Sequence, residues 1–153
     1  MEYSFQVLGL AELDERLRVL PEAVRGQVLT QALLSAAEPI VTEARNRAPI
    51  RTDGKVKKIG KGARGRLPGF LRASVRRARG GVKDTTATVQ IGPAKAAFYG
   101  MFSEFGTSKQ SARPWLRPAF EIAADAAVEL LREKLAAGIT RRLDRVLKQA
   151  RGR

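Results

Sequence analysis

The chain has 153 residues, 44% of them apolar, with 29 Lys and Arg against 15 Asp and Glu, for a formal net charge of +14. That length fits one domain with a single core, and the charge points to polyanionic partners: nucleic acid, an acidic protein surface or an anionic membrane. Cys and His are both absent, which excludes disulfides, the usual zinc sites and any Ser-His-Asp or Cys-His catalytic arrangement.

Tyr3, Phe5 and Val7 alternate with Ser4 and Gln6, which predicts a short opening strand ending near Gly9. Leu10, Leu13, Leu17 and Leu20 then recur at helical spacing and predict a short amphipathic helix. Pro21 interrupts the pattern and suits the first turn of a second helix. That helix presents Val24, Val28, Ala32, Ala36, Ile40 and Ala44 on one side, widened by Leu29, Leu33 and Val41. Pro39 predicts a kink about one turn back, and Ala48-Pro49 ends the run. No apolar run approaches the roughly 18 to 20 residues that span a bilayer, and the N-terminus has an early acid and no basic segment. The expectation is synthesis in the cytosol and no membrane partner.

From Arg45 to Lys83 there are 14 Lys or Arg against the single acid Asp53. Within it, a basic, glycine-rich stretch at about 50–69 has almost no apolar periodicity and predicts an exposed loop. Leu71, Ala73 and Val75 alternate, Gly80-Gly81 marks a turn, and Thr85 to Ile91 is rich in β-branched residues, together predicting an antiparallel hairpin. A third strand is expected over Ala97 to Phe105. Finally, Leu116, Phe120, Ala123, Ala127, Leu130, Leu131, Leu135, Ile139, Leu143, Val146 and Leu147 form a stripe of about nine turns. This long helix should begin near Arg117 or Pro118, and Gly138 can break it. The expected fold is a single α+β domain over 1–153. It has a small antiparallel sheet of three or four strands, packed with N-terminal helices and the long C-terminal helix.

The most specific stretch is Phe98 to Glu121, FYGMFSEFGTSKQSARPWLRPAFE. On residues alone it is a strand delivered to a Gly106-Thr107 turn, followed by Pro114-Trp115-Leu116 anchoring a helix. It also resembles the neck or tail-component proteins of long-tailed double-stranded DNA phages, in which an E-F-G-T strand end precedes P-[FW]-L-R-P-A at the last helix. Glu104, Phe105, Gly106 and Thr107 match, as do Pro114, Trp115, Leu116, Arg117, Pro118 and Ala119. Ala44 to Pro49 resembles the family's A-x-x-x-A-P, and Gly69 to Val75 its G-x-L-R-x-S-I, so the likeness runs from about residue 8 to residue 130. One departure is the Pro49 to Gly69 interval, stretched by the basic insert.

The resemblance implies a structural virion protein, assembled in the host cytoplasm into a homo-oligomeric ring of about six or twelve copies. Such a ring joins the portal-side connector or head-completion protein to the tail terminator or tail tube and lets DNA pass. An alternative within the virion is the tail terminator that caps the tube. An alternative of another class, resting on charge alone, is a sequence-nonspecific nucleic-acid-binding protein.

Two surfaces are candidates for these roles. Arg51, Lys55, Lys57, Lys58, Lys61, Arg64 and Arg66 in the insert can face channel DNA through mobile phosphate contacts, or reach onto a neighbouring protein as an arm that folds on assembly. Glu121, Asp125, Glu129 and Glu133 recur every four residues and form an acidic ridge, either an inter-subunit contact with a basic loop or a solvated face paired along its own helix. Trp115 is a core anchor or an interface hot spot. Arg141, Arg142, Arg145, Lys148, Arg151 and Arg153 suit a solvated helix end or an acidic partner. No phosphate-binding glycine loop with its Lys is present, and Asp53 and Glu104 are isolated carboxylates in different segments. The expectation is therefore no enzyme, no cofactor and no metal.

Overall fold

In the computed structural model the described residues are 11–50, 68–83 and 86–151. The expected opening strand and the insert at 51–67 lie outside them. Six helices and one hairpin follow in chain order: α1 (Ala11–Arg18), α2 (Glu22–Ala36), α3 (Glu38–Arg47), α4 (Phe70–Ser74), β1 (Val75–Lys83), β2 (Thr86–Pro93), α5 (Gly100–Phe105) and α6 (Leu116–Arg151), with a 3-10 turn at Lys95–Ala97 before α5. The class is α+β. The sheet has two strands among the described residues, where three or four were expected.

The chain divides into two compact units. The first takes Met1–Ala36, Arg79–Val89 and Ala126–Arg153. Its core joins Leu17, Leu20, Val28, Ala32 and Ala36 to Leu131, Leu135 and Ile139, with Leu13, Val24, Leu29, Leu33 and Leu143 packed around them. Spacings of three and four residues place these side chains on one face of each helix. α1 ends against Arg25, whose guanidinium donates to the carbonyls of Leu17, Arg18 and Leu20 at 3.2, 3.0 and 3.3 Å. Leu17 and Arg18 lie in the last turn of α1, whose carbonyls have no intrahelical partner, and the Leu17 carbonyl also accepts from Leu20 N at 3.0 Å.

Gly138 was a possible break in α6, and the helix continues through it. A Cβ there would sit 3.0 Å from Cγ1 of Val28, itself buried. The glycine is thus accounted for by the close approach of α2, a benefit set against its helix-propensity cost of about 1 kcal/mol.

The second unit takes Ala37–Ala78 and Gln90–Asp125. Its core is Val41, Ala44, Ala48, Leu71, Val75, Ala97, Trp115 and Ala119, flanked by Phe70, Ile91, Tyr99 and Leu116. α3 begins after a turn at Ala37, with Pro39 in its first turn. The expected kink is seen as an interruption of the helix at Ala37, which keeps right-handed helical backbone at φ −72° and ψ −13°; Pro39 has no N–H for the carbonyl of Ser35 and its ring would collide with it. Two arginines tie α3 to the next elements. The Arg45 guanidinium donates twice to the carbonyl of Val75, at 3.1 and 2.9 Å. Arg72 donates to the carbonyls of Asn46 and Ala48 at 3.0 and 3.4 Å. Arg77 pairs with Glu38 nearby.

Two predicted strands are helical instead. Leu71, Ala73 and Val75 alternate in sequence, yet only Leu71 and Val75, four apart, are buried, and Ala73 is exposed. The two lie one helical turn apart, Leu71 in α4, which Gly69 opens at φ 77°, and Val75 at the first position of β1. The stretch Ala97 to Phe105 likewise buries Ala97, Gly100 and Glu104, at steps of three and four. It forms the 3-10 turn and α5, not a third strand. Apolar residues that looked like strand faces are therefore divided differently, a matter of which residues meet the core.

Gly138→Leu should lower unfolding free energy by about 1–3 kcal/mol through overpacking against Val28, and Gly138→Ala should change it by less than about 1 kcal/mol. Urea denaturation followed by circular dichroism measures both. Equal stability of the leucine variant and the native chain would mean that this helix contact is not close.

Candidate functional site

A helix start leaves four backbone N–H groups without intrahelical partners. In α6, which begins at Leu116, one residue before the expected Arg117 or Pro118, these belong to Trp115, Leu116, Arg117 and Pro118. The Glu104 carboxylate, 8% exposed, accepts the first three: Trp115 N at 2.6 Å and Leu116 N at 2.8 Å on one oxygen, and Arg117 N at 3.0 Å on the other. The fourth position is Pro118, which has no N–H to satisfy, and the residue four before it, Pro114, precedes the helix, so no ring clash arises. All four positions are accounted for by one carboxylate and one proline. The same charge opposes the positive end of the helix dipole.

Glu104 reaches this position because α5 delivers it. Gly100, one turn earlier, packs so closely that a Cβ would lie 2.6 Å from Cδ1 of Leu71 and 3.4 Å from Cζ2 of Trp115. The Trp115 indole N–H donates to the carbonyl of Gly100 at 3.3 Å, and its ring is 3% exposed within the second unit's core. Trp115 is thus a core anchor. Gly106 ends α5 at φ 77°, where a side chain would collide with the backbone N of Ala112 at 2.8 Å. Thr107 then pairs with Gln110 in a bridge, Thr107 N to Gln110 O at 2.8 Å, and Arg113 N donates to Ser103 O at 2.7 Å. The motif residues Glu104, Gly106, Thr107, Pro114, Trp115, Leu116, Arg117 and Pro118 are therefore one clasp that fixes the start of α6, with Ala119 fully buried behind it.

Phe105 departs from this pattern. It is half exposed, as are Phe98, Met101 and Phe102, at 50, 59, 55 and 49% respectively. The four recur at i, i+3, i+4 and i+7 and share the outer face of α5 and the turn before it. Phe98 and Phe102 meet edge to face at 6.0 Å, and Phe98 and Tyr99 at 6.5 Å. A contiguous exposed apolar face of this kind marks an interaction site more often than a scattered apolar residue does. Reading Ala97 to Phe105 as a strand concealed it, since a period of two divides Phe98 and Phe102 from Met101 and Phe105. The helical spacing of the aromatic residues was the signal present.

The basic insert residues Arg51, Lys55, Lys57, Lys58, Lys61, Arg64 and Arg66 lie outside the described residues. The acidic ridge residues Glu121, Asp125, Glu129 and Glu133 are all exposed on α6. Glu129 pairs with Arg132 at 3.1 Å and Glu133 with Lys134 at 2.8 Å, all four exposed enough that each pair is worth well under about 1 kcal/mol. Half of the ridge is thus paired along its own helix. Among the described residues no group of three or more acidic side chains is placed to hold a metal ion, and no helix is long and apolar enough to cross a membrane.

The chain matches, over residues 11–106, the family model HK97-gp10-like, described as "Bacteriophage HK97-gp10, putative tail-component". It belongs to that family of phage tail components. The matched span takes in the Glu104-Phe105-Gly106 end of the clasp, while Pro114 to Ala119 stand beyond it. No curated protein and no solved structure matches the chain significantly.

Glu104→Ala should destabilise the fold by about 2–3 kcal/mol, the scale of charge-assisted hydrogen bonds lost at a buried helix start. Glu104→Gln, which keeps acceptor oxygen, should cost about half as much, and Thr107→Ala less than about 1 kcal/mol. Denaturant midpoints give the order; a glutamine variant as unstable as the alanine one would show that a single neutral acceptor oxygen contributes nothing at this helix start.

Proposed function

We propose that this protein is a subunit of a homo-oligomeric ring in the virion neck, joining the DNA-filled head to the tail and letting DNA pass. Membership of the tail-component family over well over half of the chain carries the reading. The exposed aromatic face of α5 supports it, because a ring subunit needs apolar surface that its monomer does not cover. Its partners in this reading are copies of itself, about six or twelve to a ring, the portal-side connector or head-completion protein above, and the tail terminator or tube protein below.

Phage DNA is the fourth partner. A net charge of +14 favours a polyphosphate passing through the ring, and Arg51, Lys55, Lys57, Lys58, Lys61, Arg64 and Arg66 are the residues proposed to meet it, by diffuse phosphate contacts without base readout. Such contacts leave DNA free to slide. Exposed Glu121 and Asp125 are the part of the acidic ridge proposed for a neighbouring basic surface, since Glu129 and Glu133 already have partners on α6.

An early stop codon in this gene, followed by electron microscopy of the phage lysate, tests the reading. Filled heads beside separate tails of normal length are expected. Overlong tails would move the protein to the tail terminator position, and normal infectious particles would overturn the virion role and favour a free nucleic-acid-binding protein.

A further inference from the structure

Cations border the outer face of α5. From Lys95 to Arg117 the chain carries Lys95, Lys109, Arg113 and Arg117 against the single acid Glu104. All four cations are exposed, while the Glu104 carboxylate is turned inward onto the three N–H groups that open α6. Lys95 stands three residues before Phe98 in the 3-10 turn, the spacing at which side chains of such a turn eclipse one another. Arg113 is held beside α5 by the bond from its backbone N to Ser103 O, 2.7 Å. The second unit as a whole has 16 Lys and Arg, 12 of them in Ala37–Ala78 and four in Gln90–Asp125, against six Asp and Glu, three in each segment. Two of those acids, Glu121 and Asp125, are exposed further along α6.

The face inside this border is apolar. Phe98, Met101, Phe102 and Phe105 are each about half exposed. Side chains that carry roughly 150–250 Å² apiece and are half exposed give the face on the order of 300–400 Å², the size of the largest and often functional patches on monomers. A surface that matches both features is apolar at its centre and acidic at its edge.

We propose that this face, with Lys95 and Arg113 at its border, receives an acidic, apolar segment of a different virion protein. The inference rests on the neck reading above and gives the character of one neighbour, since a ring stacked in the neck meets other proteins as well as its own copies. Charge and shape select that occupant. A second copy would set these cations against a chain with the same formal charge of +14, which repels; exposed Glu121 and Asp125 remain for contacts between copies. Double-stranded DNA would satisfy the cations through its phosphates, but its bases are stacked inside and leave three rings and a methionine without apolar cover. The bases of a single strand stack on flat aromatic platforms, whereas Phe98 and Phe102 meet at 84° and Met101 has no ring. Carboxylates against Lys95 and Arg113 fix the register of a protein segment whose apolar side chains pack on the rings, and methionine adapts to their shape.

Phage particles carrying p-benzoylphenylalanine in place of Phe102, and a second preparation with it in place of Met101, are purified and irradiated, and the cross-linked peptides are sequenced by mass spectrometry. The expected adduct is to a different virion protein, on a segment with more Asp and Glu than Lys and Arg and with apolar residues among them. A synthetic peptide of that segment should bind the purified full-length chain. Its binding should weaken several-fold with added salt and with the paired change Lys95→Glu and Arg113→Glu, and stay unchanged with Lys148→Glu, an exposed cation of the first unit. Circular dichroism first confirms that both variants are folded. An adduct to another copy of this chain, to DNA or to a basic segment would overturn the proposal. So would particles that contain the chain and give no adduct, or peptide binding that the paired charge reversal leaves intact. Each of those results leaves the neck reading standing, whereas particles that lack the chain remove both.

Discussion

Three backbone N–H groups at the start of α6 converge on the buried carboxylate of Glu104. Much of the fold depends on that convergence. A helix of 36 residues runs about 54 Å, and its first turns belong to the second unit's core. The carboxylate, the Trp115 indole on the carbonyl of Gly100 and the turn at Gly106 hold that beginning by hydrogen bonds to α5. The chemistry is that of an N-cap supplied from eleven residues away and not from the adjacent residue. Burial among Val41, Ala44, Leu71 and Val75 raises the stakes, since each orphaned donor there would cost about 1–3 kcal/mol.

The clasp also explains an inversion in how α5 uses its side chains. Its inner face must carry the carboxylate and a glycine that admits Leu71 and Trp115, so nothing large fits inward. The bulky residues Phe98, Met101, Phe102 and Phe105 are left on the outside. A monomer keeps such a face at a cost in solubility unless something else covers it. In a phage tail component the covering surface is reasonably sought on another virion protein or on another copy.

The helices were legible in the sequence because their stripes are long: Leu13, Leu17 and Leu20 in the first, and Leu131 to Leu143 in the last, repeat often enough to fix a helical period. Short elements were not. Over five or six residues a period of two and a helical turn fit the same apolar letters, and burial alone decides between them, as Leu71 and Val75 and then Gly100 and Glu104 illustrate. Gly138 left a break open because helix propensity is local and the approach of Val28 is tertiary. In the site, the motif from Glu104 to Pro118 could be recognised, and Trp115 placed as an anchor, but not the role of Glu104. A carboxylate reaching across eleven residues leaves no periodic trace.

The central proposal is that this tail-component chain forms a ring in the virion neck. The most direct measurement is a cryo-electron microscopy reconstruction of the neck of the intact virion. The account predicts a closed ring of this chain around the channel, between the portal-side connector and the tail tube. Density for the chain elsewhere in the particle, or its absence from the particle, would contradict it.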